Sequence, residues 1–209
     1  MRNIRKDELR SLSVFIAEQF YEIEPFQTAM EGIEPEKAKR LIAEKYYWQL
    51  SHSLFGHADI FVGGEDVNSV IIGIDAKGKM LFNYASFLIN LIRIAFKMCS
   101  KSERKLIMRN LRPIKEVQST KWFKKYSKVA PYYLALFAIE KSSRGSGLCR
   151  EMLEYSFNRA KTISSCITLE THSKDNAAMY EHFGFELVES IEAPNGMFCE
   201  YRMIKRLYP

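Results

Sequence analysis

The chain has 209 residues, 47% of them apolar, and a formal net charge of +6. This length and composition are those of one compact globular domain, and they argue against a disordered, collagen-like or low-complexity chain. The four cysteines are widely spaced and form no C-x-x-C pair, which argues against a disulfide scaffold or a zinc knuckle and favours the reducing cytoplasm.

The first third of the chain predicts helices followed by a hairpin. Apolar residues at helical spacing predict helices over Lys6 to Gln19 and over Glu34 to Ser53, the second with a proline in its first turn. The segment between them is expected to be a loop or a short helix. Two short apolar runs, Ala58 to Val62 and Val70 to Ile74, predict an antiparallel hairpin that ends at Lys77 to Lys79.

The most apolar window of the chain runs from Met80 to Met98, about the length of a membrane span. It contains Asn83, Asn90, Arg93 and Lys97, so its insertion into a bilayer would be costly. Its apolar residues recur at helical spacing, which favours a buried or substrate-facing helix over an interface or membrane-surface helix.

The positive charge is concentrated between Lys97 and Lys128. This segment holds eleven Lys or Arg residues and two Glu, a local charge of +9, so the rest of the chain sums to −3. It is expected to be helical or irregular, with Pro113 as a breaker. The pattern favours a solvated, lysine-rich surface. Binding of nucleic acid or of an anionic membrane surface is the weaker alternative, since no groove-reading or base-stacking motif is present.

The second half of the chain alternates predicted strands and helices. The run from Tyr132 to Ile139 is almost continuously apolar, which predicts a strand buried on both faces. The elements predicted after it are a helix over Gly147 to Lys161, a strand over Cys166 to Leu169, a helix over Asp175 to His182, a strand from Gly184 to Val188 and a strand over Met197 to Ile204. This order predicts an α/β or α+β sheet.

A glycine loop joins the central strand to the long helix, with the sequence Ser143-Arg144-Gly145-Ser146-Gly147-Leu148-Cys149. Its glycines let the backbone approach a ligand closely, and the helix that follows offers unpaired N–H groups and the positive end of its dipole. Such a loop suits a phosphate or pyrophosphate, although it lacks the spacing of a dinucleotide-binding fingerprint or of a P-loop. The alternative is a plain tight turn with an exposed arginine.

The apolar strand, the R-G-x-G loop and a later N-x-x-x-Y-x-x-x-G-F motif resemble the GNAT superfamily of N-acetyltransferases; Asn176, Tyr180, Gly184 and Phe185 form the later motif. The spacing of this motif from Glu170, with the following Glu192 to Gly196 turn, looks most like the puromycin N-acetyltransferase subgroup. The resemblance covers residues 132–205, and before them it is only topological.

The resemblance implies an α/β (α+β) fold, a GNAT-like splayed mixed sheet flanked by helices, with a helical insertion before the central strand. It implies a single acetyltransferase domain over residues 1–209, with an acceptor side over 1–131 and an acetyl-CoA-binding half over 132–209. Acetyl-CoA is the implied co-substrate, with no metal, and it enters between the strands that begin at Tyr132 and Cys166. The implied cofactor-binding residues are Phe137, Ala138, Ile139, Arg144, Gly145, Ser146, Gly147, Leu148, Cys149, Asn176 and Tyr180.

The resemblance also makes Tyr180 the expected general acid for the leaving thiolate, a role that suits a phenol. The general base is unassigned, because two tyrosines stand where some members carry a carboxylate. Glu170 is the catalytic candidate by location; a structural hydrogen-bonding role for it, or deprotonation through ordered water, are the alternatives. His172 is a weaker candidate. Cys149, at a helix start where a thiol pKa can be depressed, is expected to be non-catalytic because direct transfer needs no acyl-cysteine.

The leading hypothesis is therefore a cytoplasmic, acetyl-CoA-dependent N-acetyltransferase that moves the acetyl group directly to a primary amine of a small molecule or peptide. The alternative is a catalytically weak acyl-CoA-binding sensor protein. No nucleic-acid partner and no membrane partner is expected, and a homodimer is left open.

Overall fold

The structure is a computed structural model that describes residues 1–64, 67–76, 84–119 and 121–208, with side chains left undescribed for 84–88. The predicted hairpin end at Lys77 to Lys79 and the predicted helix start at Met80 lie outside the described residues. No helix within the described ranges is long and apolar enough to cross a bilayer.

Helices and strands alternate as the sequence predicts, with boundaries shifted by a few residues. The α-helices of the described chain are α1 (Leu9–Tyr21), α2 (Glu24–Met30), α3 (Pro35–Gln49), α4 (Tyr84–Met98), α5 (Lys101–Asn110), α6 (Arg112–Val117), α7 (Leu148–Lys161) and α8 (Lys174–His182). The strands are β1 (Arg2–Asn3), β2 (Asp59–Val62), β3 (Ser69–Asp75), β4 (Tyr132–Ile139), β5 (Cys166–Thr171), β6 (Glu186–Glu192) and β7 (Cys199–Arg206).

Local signals set several of these boundaries. Pro35 is the first residue of α3, and the side chain of Glu34 accepts hydrogen bonds from the two N–H groups that follow Pro35. Ser100 and Glu103 form a capping box at the start of α5. Pro113 lies in the first turn of α6, directly after the break that ends α5, as its expected role as a breaker requires.

The seven strands form one sheet in the order β1-β2-β3-β4-β5-β7-β6. All neighbours are antiparallel except β4 and β5, which are parallel. Helices α1 and α3 cover one face of the sheet, where Leu12 and Ile16 pack on the hairpin of β2 and β3. Helices α7 and α8 cover the other face, where Met152 and Leu153 pack on β4 and β5. This mixed fold confirms the predicted α/β class and its splayed sheet.

Strand β4 contains an irregularity that its sequence does not reveal. Ile72 pairs with Leu136, but its neighbour Gly73 pairs with Leu134, so Ala135 is an extra residue on β4 and forms a bulge. Because of the bulge, Leu134 packs in the core beside α7 whereas Leu136 packs in the core beside α1.

Gly73 has a packing role beside this bulge. A Cβ atom at this position would lie 1.9 Å from the phenolic oxygen of Tyr132, so only a glycine leaves room for that fully buried ring. The Tyr132 hydroxyl in turn donates a hydrogen bond of 3.0 Å to Asp59 Oδ2, and Asp59 is also paired with Arg159 at 2.8 Å. The start of β4 is therefore held by backbone pairing with β3 and by the side-chain hydrogen bond from Tyr132 to Asp59.

The two most apolar segments differ in burial. Strand β4 is covered on both faces, as predicted: Leu134 is buried beside α7, Leu136 is buried beside α1, and the residues between the buried ones are partly buried. The helix predicted over Met80 to Met98 is not buried as a whole: Ile94 and Met98 of α4 pack beside α3, but Ile89 is 49% exposed and Phe96 is 65% exposed. The exposed face of α4 is apolar in sequence, but no neighbouring element among the described residues covers it.

The helical insertion between β3 and β4 covers two different parts of the molecule. Helices α4 and α5 lie against α3, and α6 packs with Ala29 of α2 and with Phe198 before β7. A short 3-10 helix, Trp122–Lys125, closes the insertion. Ten of the eleven basic residues between Lys97 and Lys128 are exposed, which confirms the predicted solvated basic surface.

Candidate functional site

The parallel strands β4 and β5 separate almost as soon as they meet. They pair only through Tyr132 with Ile167 and Tyr133 with Thr168, and from Leu134 to Ile139 strand β4 pairs with β3 alone. A wedge therefore opens between the two strands toward the carboxyl end of β4. The backbone of Phe137, Ala138 and Ile139, which the family resemblance implies as contacts of the acetyl-CoA arm, lies along this unpaired edge.

The glycine loop follows β4 at the open end of the wedge. Gly145 and Gly147 have φ values of +79° and +87°, which L side chains rarely adopt. The backbone N–H groups of residues 145–149 have no hydrogen-bond acceptor in the part of the chain that the structure describes. Helix α7 begins directly after Gly147, so the positive end of its dipole lies at the same place. The loop can therefore accept an anionic group from solvent.

Space around the loop is open as well. A Cβ atom built on Gly145 or Gly147 would meet no atom within 4 Å. The loop is stabilised from within, because the Ser146 hydroxyl donates to the carbonyl of Ser143 at 2.7 Å and the Arg144 guanidinium donates to the carbonyl of Ile139 at 3.3 Å. Glycine at these positions is thus required by backbone conformation and by access to the loop, and not by packing against the protein.

Tyr180 and Asn176 lie on α8, which packs beside β5. Tyr180 is buried, with its ring edge-on to Phe185 at 5.5 Å between centroids, and burial raises the pKa of its phenol well above the ordinary value. Its hydroxyl has no hydrogen-bond partner among the described residues, so it is available to a ligand. Asn176 is exposed in the first turn of α8.

Cys149 lies at the start of α7 but is not activated there. Its thiol donates toward the sulfur of Met179 at 3.5 Å, and burial raises the pKa of the thiol. A depressed pKa, as the position at a helix start suggests, is therefore wrong: desolvation of the thiol outweighs the lowering by the nearby Arg150 charge. This environment agrees with the expectation that Cys149 is non-catalytic.

Glu170 lies on β5, two residues beyond the last pairing with β4, where the wedge begins. Its carboxylate accepts a hydrogen bond of 2.5 Å from the Tyr133 hydroxyl and another from the Trp122 indole N–H. Burial raises the pKa of Glu170, and the two hydrogen bonds oppose that rise without cancelling it. The result is a fixed carboxylate at the narrow end of the wedge, with a pKa moved toward neutrality.

A second buried cluster supports the same region from β7. The Arg202 guanidinium is 3% exposed and donates to Glu200 at 2.7 Å, to Glu189 at 2.6 Å and to the carbonyl of Val117 at 2.6 Å. His172 lies at the edge of this cluster, with its Nε2 atom 3.8 Å from Glu200. This arrangement ties the helical insertion to the sheet and places His172 beside a carboxylate.

The hydrogen bonds from Trp122 and Tyr133 to Glu170 were not predicted from the sequence. Trp122 is separated from Glu170 by 48 residues and Tyr133 by 37, and neither has a recognisable motif. One sequence feature could have indicated these contacts. Tyr132 and Tyr133 stand together at the start of an apolar strand, and a buried tyrosine needs a hydrogen-bond partner for its hydroxyl.

An open cavity of about 400 Å³ lies at the turn between β6 and β7, lined by Ser190, Glu192, Gly196, Phe198 and Cys199. Within the described residues there is no group of three or more side chains that could hold a metal ion. All four cysteines are free thiols.

No protein-family model and no curated protein matches the chain. A structure described as histone acetyltransferase HPA2 and related acetyltransferase from Corynebacterium glutamicum is similar, with a TM-score of 0.68, 16% identity and coverage of 100% of this chain and 96% of that one. An N-acetyltransferase from Staphylococcus aureus has a TM-score of 0.60 and 16% identity, covering 97% and 98%. A GNAT-family acetyltransferase structure from Desulfovibrio desulfuricans has a TM-score of 0.53 and 12% identity, covering 100% and 98%. The chain therefore has the fold of the GNAT acetyltransferases over its whole length.

Proposed function

We propose that this protein is an N-acetyltransferase that moves the acetyl group of acetyl-CoA to a primary amine of a small molecule or peptide. The observation that supports this most is the wedge between β4 and β5, which ends at a loop whose N–H groups at residues 145–149 have no acceptor among the described residues. The wedge suits an extended arm and the loop suits a pyrophosphate, in the order in which the two occur in coenzyme A. The assignment to a puromycin N-acetyltransferase subgroup and a cytoplasmic location stay predictions.

The loop and β4 hold the co-substrate in this proposal. The N–H groups of residues 145–149 bind the pyrophosphate, and Asn176 contacts the arm. Backbone groups of Phe137, Ala138 and Ile139, on the unpaired edge of β4, bind the pantetheine and stabilise negative charge on the thioester oxygen. Acetyl-CoA supplies the activated acetyl group, which the acceptor amine takes directly.

Proton transfers are assigned to two side chains, Glu170 on β5 and Tyr180 on α8. Glu170 takes a proton from the attacking amine, directly or through water, while Tyr133 and Trp122 hold its carboxylate in place. Tyr180 donates its phenolic proton, or a close hydrogen bond, to the thiolate that leaves as the carbon–sulfur bond breaks. The Tyr180 phenol is protonated at neutral pH, so its proton is present when the thiolate forms, and its raised pKa favours a close hydrogen bond over complete proton transfer.

The proposed activity is tested by incubating the purified protein with acetyl-CoA and a panel of primary amines and measuring release of free thiol. We expect thiol release that depends on one class of amine, with an acetylated product of matching mass. A protein that binds acetyl-CoA tightly but releases no thiol with any amine would instead be a sensor. A protein that does not bind acetyl-CoA at all would contradict both functions.

Glu170→Gln is expected to lower kcat/KM about 100-fold, because an amide cannot take a proton from the amine. The variant is well matched to the site, since the amide oxygen still accepts from Trp122 and the amide nitrogen can donate to Tyr133. In the wild type, kcat/KM should fall as the pH falls through the raised pKa of Glu170, because protonation removes the base.

The control for this prediction is Glu181→Gln, an exposed glutamate on α8. It should leave both kcat/KM and the acid limb of the pH profile unchanged. If Glu170→Gln lowered activity but kept the same acid limb, Glu170 would have only a structural role, and deprotonation would go through ordered water and another group.

A further inference from the structure

Helix α4 exposes an apolar stripe that the acetyltransferase site does not use. Ile89, Ile92 and Phe96 are 49%, 55% and 65% exposed, and their spacing of three and four residues places them on one face of the helix. The face that carries Ile94 and Met98 already packs beside α3. The exposed stripe therefore takes no part in the packing of α4 against α3.

The stripe continues onto α5. The Arg104 guanidinium lies 4.1 Å from the centre of the Phe96 ring, which brings the start of α5 against the end of the stripe. Met108, one turn further along the same side of α5, is 60% exposed. Four large apolar side chains thus form one raised surface across two helices, and we call this set, Ile89, Ile92, Phe96 and Met108, the apolar ridge.

Basic residues surround the apolar ridge. The exposed cations on α4 and α5 are Arg93, Lys97, Lys101, Lys105 and Arg109. Helix α4 contains no acidic residue, and the single acidic residue of α5, Glu103, is paired with Lys37 at 2.8 Å and caps its own helix. The region around the ridge is therefore strongly positive.

The apolar ridge and its surrounding cations favour some binding partners over others. A second copy of the chain docked ridge to ridge would bring the two sets of cations together, which is unfavourable. A nucleic acid would satisfy the cations but leave the four apolar side chains against a polar backbone. A bilayer surface that contains anionic lipid satisfies both, because its acyl boundary takes apolar side chains and its phosphates pair with Lys and Arg.

We propose that α4 and α5 form a docking surface for an anionic lipid bilayer, with the apolar ridge at the acyl boundary and the surrounding cations at the headgroups. The protein lies on the membrane and does not cross it. This replaces the sequence-based expectation of no membrane partner, and it is independent of the proposed acetyl transfer.

The proposal is tested by sedimentation of the protein with vesicles of phosphatidylcholine that contain about one third phosphatidylglycerol, at about 0.1 M salt. We expect binding to these vesicles and much weaker binding to phosphatidylcholine alone. Ile92→Ser combined with Phe96→Ser should weaken binding about tenfold or more, by removing apolar area without changing charge. Lys97→Gln combined with Lys101→Gln should weaken it about tenfold at this salt concentration and less at 1 M.

Matched controls use equivalent side chains outside the ridge. Val14→Ser with Leu187→Ser, and Lys6→Gln with Lys128→Gln, remove exposed residues of the same types from other elements and should leave binding unchanged. Phe96→Trp tests the proposal without weakening binding. The fluorescence emission of the new tryptophan should shift to shorter wavelength when anionic vesicles are added.

Three results would overturn the proposal. The first is absence of binding to anionic vesicles by the wild type, and the second is undiminished binding by the Ile92→Ser and Phe96→Ser variant. The third is a stable dimer, or RNA binding in the absence of lipid, that the ridge variant abolishes while vesicle binding persists. In the third result, a dimer would assign the ridge to a second copy of the chain, and RNA binding would assign it to a nucleic acid.

Discussion

Tyr180→Phe is expected to lower kcat about 100-fold or more while leaving the affinity for acetyl-CoA nearly unchanged, because general-acid contributions have this size. The substitution keeps the ring that packs against Phe185 and removes only the hydroxyl, which has no partner in the described chain. Removing that hydroxyl therefore breaks no internal hydrogen bond. Saturation kinetics of both proteins, with the amine found in the panel assay, measure the effect.

A matched control for this variant is Tyr155→Phe, an exposed tyrosine on α7, which should retain wild-type kcat. Equal turnover numbers for the wild type and Tyr180→Phe would remove the hydroxyl from the mechanism and leave Tyr180 as a packing residue. A loss of affinity for acetyl-CoA without a change in kcat would instead make it a binding contact.

Gly147→Asp is expected to raise the Kd for acetyl-CoA about 100-fold, the equivalent of losing one or two charge-assisted hydrogen bonds. The new carboxylate would lie in the open space beside the free N–H groups, where it repels a pyrophosphate. A thermal-shift titration measures the effect, since a ligand at about 100 times its Kd adds roughly 2.7 kcal/mol of stability.

The control must separate charge at the loop from backbone strain. Gly56 also has a positive φ, of +80°, and open space around its Cβ position, so Gly56→Asp introduces a comparable strain away from the loop. It should lower the thermal midpoint as Gly147→Asp does, but it should keep the shift produced by acetyl-CoA. If Gly147→Asp kept that shift as well, the loop would not be the pyrophosphate site.

The sequence by itself determined the elements whose periodicity is strong and the loop whose chemistry is local. The hairpin of β2 and β3, the apolar strand β4 and the helix after the glycine loop lie close to their predicted places, because each depends on residues near one another in the chain. The positive φ values of Gly145 and Gly147 follow from the same local logic. These features and the later Asn176 and Tyr180 motif were enough to suggest the fold.

Tertiary structure decided what depends on distant pairings. The bulge at Ala135 results from the register between β3 and β4, and the wedge beside it results from where β5 stops pairing with β4. The environment of Glu170 depends on Trp122 and Tyr133, which approach it from two separate segments, and their hydrogen bonds and burial together set its pKa. No local sequence pattern predicts that Trp122 and Tyr133 contact Glu170.

Helix α4 also shows which properties follow from the sequence and which follow from tertiary packing. Its sequence predicts an amphipathic helix, and the helix is present in the described residues. Periodicity shows which residues share a face, but not how many neighbouring elements are available to cover that face. Helix α3 covers the side of Ile94 and Met98, and the side of Ile92 and Phe96 stays exposed, so burial of this helix was decided by the packing of the insertion and not by its composition.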